Sequence, residues 1–406
     1  IIQQAFFQLR NQPLLSVITV LGTALAIALI MVILIVYQAK TADYAPEVNR
    51  SRSLYVKWER TVYDKKDPNS AGHSRPSLWL VKEIFYPLTT PEAVTATYEG
   101  GEVLVGTVGS DEEMNTPLML TDAAFWKVYQ FRFLAGKPFT EADFQSGMKQ
   151  AVIAKSVARR LFGGAENAIG KDILVNFAAY TVCGVVDDVN RFCEFTWSEV
   201  YAPYTSNAIA SEAEAGQTSG NNVITILARS TDDFDAIRNE VARGVAQINT
   251  TLGDMELQLM GQPDNFRMQL NRKFANQYEN LNANFWKYGI MILIILLVPA
   301  INLSGLTNTR MRRRLEELGI RKAFGATRNE LVWQVLNENL VLTVMGGLLG
   351  LALAYLFLWL MSDWLLQTVW GATATMNASM VSPVIFLIAF GFCLILNMFS
   401  AYVPAW

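Results

Sequence analysis

LLSVITVLGTALAIALIMVILIVY, residues 14–37, carries no charge over 24 residues, and roughly 20 apolar residues suffice to cross the hydrocarbon core of a bilayer. It reads as a transmembrane helix. The run is too long for a signal-peptide core and no small-residue cleavage site precedes Lys40, so it is expected to stay attached. Outward from it lie three more uncharged runs: YGIMILIILLVPAINLSGL (288–306), LVLTVMGGLLGLALAYLFLWLM (340–361) and residues 384–403. Four spans put both ends of the chain on one side of the membrane. The expected fold class is therefore a membrane α-helical protein of four transmembrane helices, with a large extracytoplasmic domain inserted between the first and second.

Lysine and arginine in short loops are retained in the cytoplasm, which sets the orientation. The loop after the second span, 307–339, holds Arg310, Arg312, Arg313, Arg314, Arg321, Lys322 and Arg328, whereas 362–383, after the third, holds neither Lys nor Arg. The basic loop is thus inside, together with residues 1–13, and residues 38–287 lie outside. The composition agrees. With 52% apolar residues in 406 and a formal charge of only -3, the chain is too apolar for a soluble protein and shows no overall pull toward nucleic acid. It begins at Ile1 and stops at Trp406 on a membrane edge, and further residues are expected at both ends.

The outer segment carries 25 Lys and Arg against 31 Asp and Glu, the mixed surface of a folded soluble domain. SLYVKWERTVY (53–63), GGEVLVGTVGS (100–110), AYTVCGVVDDV (179–189) and NNVITILARS (221–230) read as strands. Phe234, Ile237, Val241, Val245 and Ile248 share one helical face, and Ser230 or Thr231 followed by acids suits that helix's N-terminus. An α+β domain of two lobes is expected, with 211–222 as a loose loop. Residues 265–287 contain neither Pro nor Gly; they either run as a stalk into the second span or form an ordinary helix packed on the domain.

The decisive stretch is TNTRMRRRLEELGIRKAFGATRNELVWQVLNENLVLT (307–343). Gly325 can break a helix, and Leu331, Val332, Val335 and Leu336 then form an apolar stripe on a short helix that would lie along the inner membrane surface. Arginines alone would also serve to fix topology and bind anionic membrane lipids. The pattern Glu317, Gly319, Ile320, Arg321, Lys322, Ala323, Gly325 and Ala326 resembles the FtsX-like permeases of ABC transporters. A second resemblance, to the periplasmic domain of the MacB-type branch within the type VII superfamily, rests on 120–144 (LTDAAFWKVYQFRFLAGKPFTEADF), 151–173, 180–189 and 200–204.

The resemblance implies a multi-pass protein of the bacterial inner membrane, its large domain periplasmic. It implies a dimer with a second permease copy or paralogue, bound to cytoplasmic ABC ATPase subunits. The segment around Gly325, with Leu331 and Val335, would dock on the ATPase and pass its motion outward. A MacB-type reading adds a periplasmic adaptor, an outer-membrane channel, and efflux of drugs, peptides or other amphiphiles. Lipoprotein release or activation of a cell-wall hydrolase would use the same motor. A membrane receptor or scaffold without an ATPase is the alternative of another class.

Chemistry in the chain itself finds little support. GAENAIGKD (164–172) is not a phosphate-binding loop: its glycines are misspaced, and Asp172 stands where Ser or Thr should coordinate magnesium. No cofactor is expected on this chain, with ATP and Mg held by the partner ATPase. Three cysteines and the lone His73 are too few for a structural zinc site. His73 reads as exposed, and Asp187 and Asp188 as a strand end rather than an acid pair. Cys183 and Cys193, both outside, either pair as a disulfide or remain free. Gly346 and Gly350 make a G-x-x-x-G step that packs a helix closely against its own bundle or against a second copy. No ionisable residue lies at mid-depth in the spans, so an ion relay is not expected.

Overall fold

The computed structural model describes residues 13–107, 109, 113–272, 274–275, 286, 289–290, 320, 323–325, 327–365, 384, 386–388, 390–391 and 394–395. The chain divides into two compact units, one comprising Ile1–Lys40 with Leu281–Trp406, the other Thr41–Asn280.

In the second unit, nine strands form one path: β14 (Asp264–Asn265), β1 (Ser53–Val56), β12 (Asn222–Leu227), β4 (Ala93–Thr107), β5 (Glu113–Thr121), β10 (Val200–Pro203), β7 (Gln150–Ala154), β9 (Ala178–Val186) and β6 (Phe133–Gly136). A tenth, β8 (Asp172–Val175), bridges β4 and β9. Pairing is antiparallel except at β5–β10 and β7–β9. The β7–β9 pair needs a crossover, since parallel neighbours cannot be joined by a tight turn, and helix α2 (Lys155–Phe162) begins it. A smaller sheet runs β11 (Ser219–Gly220), β3 (Ala71–Pro76), β2 (Glu59–Val62) and β13 (Glu256–Gln258). Helix α3 (Phe234–Asn249) buries Ile237, Val241 and Ile248. Ser230 leads into it through a capping box with Asp233, where the sequence placed the start.

β4 and β5 pair along most of their length. Their register shifts at a bulge between Glu99 and Gly101. Gly101 has φ +72 there, and a Cβ on Gly100 would lie 2.9 Å from the Leu118 side chain. Two consecutive glycines thus let a 15-residue strand bend. One apolar core continues across the bend, from Leu54, Ile224 and Ile237 to Val152, Val185 and Ile173.

The segment 53–63 differs from the expected single strand: it is β1 in the large sheet, then β2 in the small one. The switch falls at Lys57 and Trp58, whose N–H groups donate to Gln262 Oε1 at 2.9 and 3.2 Å, while Gln262 Nε2 donates to the Trp58 carbonyl at 2.7 Å. One side-chain amide replaces the missing strand partner, pairing both N–H groups and the Trp58 carbonyl at the crossing. A distant glutamine supplying that amide has no local signal.

Of the 265–287 stretch, 265–272 are described continuously, and the choice between stalk and packed helix for the rest lies outside the described residues. A short helix, Phe266–Asn271, is capped by Asn265 and ends at Arg272, whose backbone is extended. Phe266 and Gln269 are buried, so this piece packs on the domain. Arg272 terminates it because its guanidinium turns back to Asp264.

In the first unit, helix α1 (Pro13–Thr41) contains the first predicted span, and α4 (Arg328–Leu365) contains the third. Among the described residues, Val20–Gln38 and Leu340–Met361 are long and apolar enough to cross a membrane. The predicted second and fourth spans lie mostly outside the described residues.

Candidate functional site

Within the 307–343 stretch, Phe324 N donates to the Ile320 carbonyl at 3.1 Å, a helical turn. Gly325 ends it at φ +95, a left-handed conformation that only glycine adopts without strain. A Cβ there would meet nothing within 4 Å, so the backbone angle alone demands the glycine. Glu317, Gly319, Arg321, Lys322 and Ala326 lie outside the described residues. Leu331 and Val335 fall on α4, which corrects the expectation of a separate surface helix: the helix continues unbroken into the third span. No Pro or Gly interrupts residues 328–345, so nothing stops it. At 38 residues and about 1.5 Å per residue it is ~57 Å long, against ~30 Å of hydrocarbon. About half its length must therefore project beyond the core. Phe324 and Trp333, 89% and 64% exposed, are large apolar side chains on this segment that the motif reading passed over.

The glycine step has a partner within the chain. A Cβ on Gly346 would stand 2.8 Å from Thr23 Cβ and 3.2 Å from the Val20 carbonyl; one on Gly350 would stand 2.8 Å from the Ala24 carbonyl and 2.9 Å from Ile27 Cβ. Both glycines therefore receive the backbone of α1, the close approach that small residues permit. Ala354, four residues on and fully buried, extends the stripe, and Ile27, Met31 and Leu358 close the seam. Residue numbers rise together along the two helices, so α1 and α4 run parallel.

Other singled-out residues are structural. Cys183 and Cys193 are free thiols, so the disulfide alternative is corrected. Cys183 faces the Ala151 carbonyl and Cys193 the Ala45 carbonyl, on different parts of the domain. Burial pushes the Cys183 thiol up to about 12. His73 is exposed on β3. Asp187 faces Arg132 at 3.8 Å and Lys155 at 3.6 Å, while Asp188 accepts from Ser156 N at the start of α2. In the misspaced 164–172 stretch, Gly170 turns the chain at φ +74 into β8.

Asp122, from the LTDAAFW stretch, is a buried knot rather than an acid for chemistry. Its Oδ1 accepts from Thr95 Oγ1 at 2.6 Å and Phe125 N at 3.0 Å; its Oδ2 accepts from Tyr86 OH at 2.7 Å and Ala96 N at 2.9 Å. These donors tie β4 to the short helix Phe125–Val128 and to the turn at Tyr86.

The chain thus joins an α+β domain to two parallel, glycine-packed helices that are long and apolar enough to cross a membrane. Residues 16–243 match the MacB-like periplasmic core domain, and residues 289–406 match the FtsX-like permease C-terminal domain. The chain belongs to the MacB/FtsX-type ABC transporter permeases, membrane proteins with a domain outside the cytoplasm. Among its relatives is YknZ of Bacillus subtilis (strain 168), described as an uncharacterized ABC transporter permease: 23% identical over 359 residues, covering 87% of this chain and 85% of that protein. The macrolide export ATP-binding/permease protein MacB of Wolinella succinogenes is 25% identical over 359 residues, covering 86% of this chain but only 52% of the relative. The chain thus spans about half the length of that larger protein. Among solved structures, the extracellular domain of YknZ aligns with 51% of this chain and 99% of its own, at TM-score 0.37 and 19% identity. The periplasmic region of MacB from Actinobacillus actinomycetemcomitans aligns with 53% and 94%, at TM-score 0.37 and 14% identity.

Proposed function

We propose that this chain is the permease subunit of an ABC exporter that carries ATP-driven motion from a separate cytoplasmic ATPase to its periplasmic domain. The observation that carries the reading is the glycine-terminated turn at 320–325 running into one helix that is both coupling segment and third span. A push on the exposed Phe324–Trp333 end is delivered along a continuous rod and, through the Gly346–Gly350 seam, to α1. Four spans at 14–37, 288–306, 340–361 and 384–403, with the domain between the first two, fit this arrangement. The parallel direction of α1 and α4 supports it, because first and third spans must cross the same way when a chain passes back and forth.

The ATPase belongs on another polypeptide in this reading: the relative of similar span is described as a permease alone, whereas the matched MacB is described as ATP-binding and permease together. ATP and Mg would sit on that subunit, and two permeases, identical or paralogous, would complete the transporter. Efflux of a drug, peptide or other amphiphile with an adaptor and outer-membrane channel is the output that the MacB relatives favour.

The test is isolation of the tagged full-length chain from its own membrane, with and without Gly325→Val. An ABC ATPase should accompany the native chain and be depleted with the variant, because a β-branched residue is strained at φ +95. Recovery of no nucleotide-binding subunit with the native chain would overturn the reading.

A further inference from the structure

Three stretches of the outer domain, distant in sequence, converge on one buried guanidinium. Arg50, 1% exposed, donates from Nη1 to the Ala42 carbonyl at 2.8 Å, immediately after α1. From Nη2 it donates to the Phe192 carbonyl at 2.7 Å, and from Nε to Glu47 Oε2 at 2.8 Å. Its plane lies over the Tyr44 ring, 4.2 Å from the centroid, and over the Phe266 ring at 4.7 Å. Phe266 opens the last helix described in the domain, on the part of the chain that leads toward residue 288. One side chain therefore touches the incoming connection, the outgoing connection and the 192–196 loop.

Its neighbours tie the same three stretches. Glu47 Oε1 accepts from Phe195 N at 2.9 Å and Thr196 Oγ1 at 3.0 Å. Lys57 Nζ donates to Glu194 at 2.6 Å and to Gln269 Oε1 at 3.3 Å, linking the loop to the outgoing helix. Asp264 and Arg272, each 1% exposed, form a two-pronged pair that closes that helix. Exposed pairs such as Arg132–Asp187 contribute little and follow solvent. A buried pair is different: it adds little net stability, but separating its charges is strongly unfavourable. Planar, forked Arg is also the cation suited to several fixed partners at once. The cluster therefore resists relative displacement more than it strengthens the fold.

We propose that Arg50 is a positioning residue that clamps the two connections of the domain into one rigid body, so that motion of either membrane connection moves the whole domain instead of peeling its edge. The inference rests on the transmission reading above. It assigns to Glu47, Arg50 and Phe266 a role that composition and motif leave blank.

Hydrogen exchange of the full-length chain with its ATPase in nanodiscs, with and without ATP plus vanadate, tests it. Glu47→Gln with Arg50→Met removes both charges together; Phe266→Leu leaves every ion pair in place and removes only the ring joining outgoing chain to Arg50. The native protein should show a nucleotide-dependent change of exchange in β4, β5 and β9. Both variants should reduce that change about fivefold or more, with basal ATP hydrolysis and the protection of the same strands without nucleotide unaltered. Retention of the full response in Phe266→Leu overturns the clamp while leaving transmission intact. Loss of strand protection without nucleotide in both variants overturns it too, by reducing the cluster to ordinary fold stability. Absence of any response in the native protein overturns transmission itself, and the clamp with it.

Discussion

Replacing Asp122 by Asn changes one atom in a buried knot, and the geometry sets the consequence. Four donors point at two carboxylate oxygens. Asparagine keeps one oxygen and puts an NH2 group where the other was. Two of the donors are hydroxyls and can rotate, Tyr86 having Tyr204 OH at 3.2 Å as an alternative partner. The other two are the backbone N–H groups of Ala96 and Phe125, one on each oxygen, and neither can rotate. Whichever way the amide is turned, one backbone N–H faces an N–H2 group in a site where Thr95, Ala96 and Phe125 are all fully buried. Leaving one buried donor unmade costs about 1–3 kcal/mol. Asp122→Ala strands both backbone groups and opens a small cavity, for about 3–6 kcal/mol. Tyr86→Phe removes a donor rather than the acceptor, so it should cost less than Asp122→Asn, and less again in the Asn background. Native-state hydrogen exchange at β4 and β5 of the full-length chain, read alongside urea unfolding, measures these values. An Asp122→Asn protein within about 0.5 kcal/mol of native would refute the argument, since it would mean that the donors are satisfied elsewhere.

Three further outcomes follow from single sites. Gly350→Ala puts a methyl 2.8 Å from the Ala24 carbonyl and should lower thermal stability in detergent by about 1–3 kcal/mol; Gly22→Ala, with open space around it, should be neutral or slightly stabilising, and equal effects at the two sites would refute the α1–α4 seam. Burial, opposed only by hydrogen bonds from Thr61 and Ser219, pushes the Glu59 carboxyl above its ordinary range. The folded state then holds a proton that the unfolded chain has lost, so stability falls as pH rises from the ordinary carboxylate range through the raised value; Glu59→Gln should flatten that slope and be the more stable form at pH 8, and an unchanged slope would refute it. With its thiol pushed up to about 12, Cys183 should be thiolate at only about one part in ten thousand at pH 8, so iodoacetamide labelling of native protein should be slow and should rise on urea unfolding; rapid native labelling would refute the burial.

Apolar length made α1 and α4 legible, and period-two and period-3.6 patterns located β9, β12 and α3, because each of these signals is local. The switch of strand 53–63 between sheets was not legible. It depends on a glutamine some 200 residues away, and the run of β-branched and aromatic residues looks the same whether its partners belong to one sheet or two. The continuity of α4 could have been read from the absence of breakers after Gly325; amphipathicity at 331–336 suggested a surface helix because a polar face has the same composition whether it meets headgroups or projects into water. Ala354 likewise completed a four-residue spacing already begun by the two glycines.

The residues least legible are those on which the proposed transmission would depend most directly. Glu47 and Arg50 are three apart, a spacing that on most surfaces means a solvated pair of little consequence. What changes their meaning is burial on a side of the domain where incoming and outgoing chain meet. Burial also makes the pair definite electrostatically. Desolvation works against the Arg50 charge, but the neighbouring Glu47 carboxylate, by charge and hydrogen bond, is foremost among the groups opposing it, and the guanidinium is held protonated. A charge that cannot titrate away must keep its partners or break them all, and Ala42, Phe192 and Phe266 are among those partners. In the proposed arrangement Gly325 and this guanidinium therefore make complementary demands. At Gly325 the backbone must bend sharply so that a rod can begin, and at Arg50 the two connections must not bend at all.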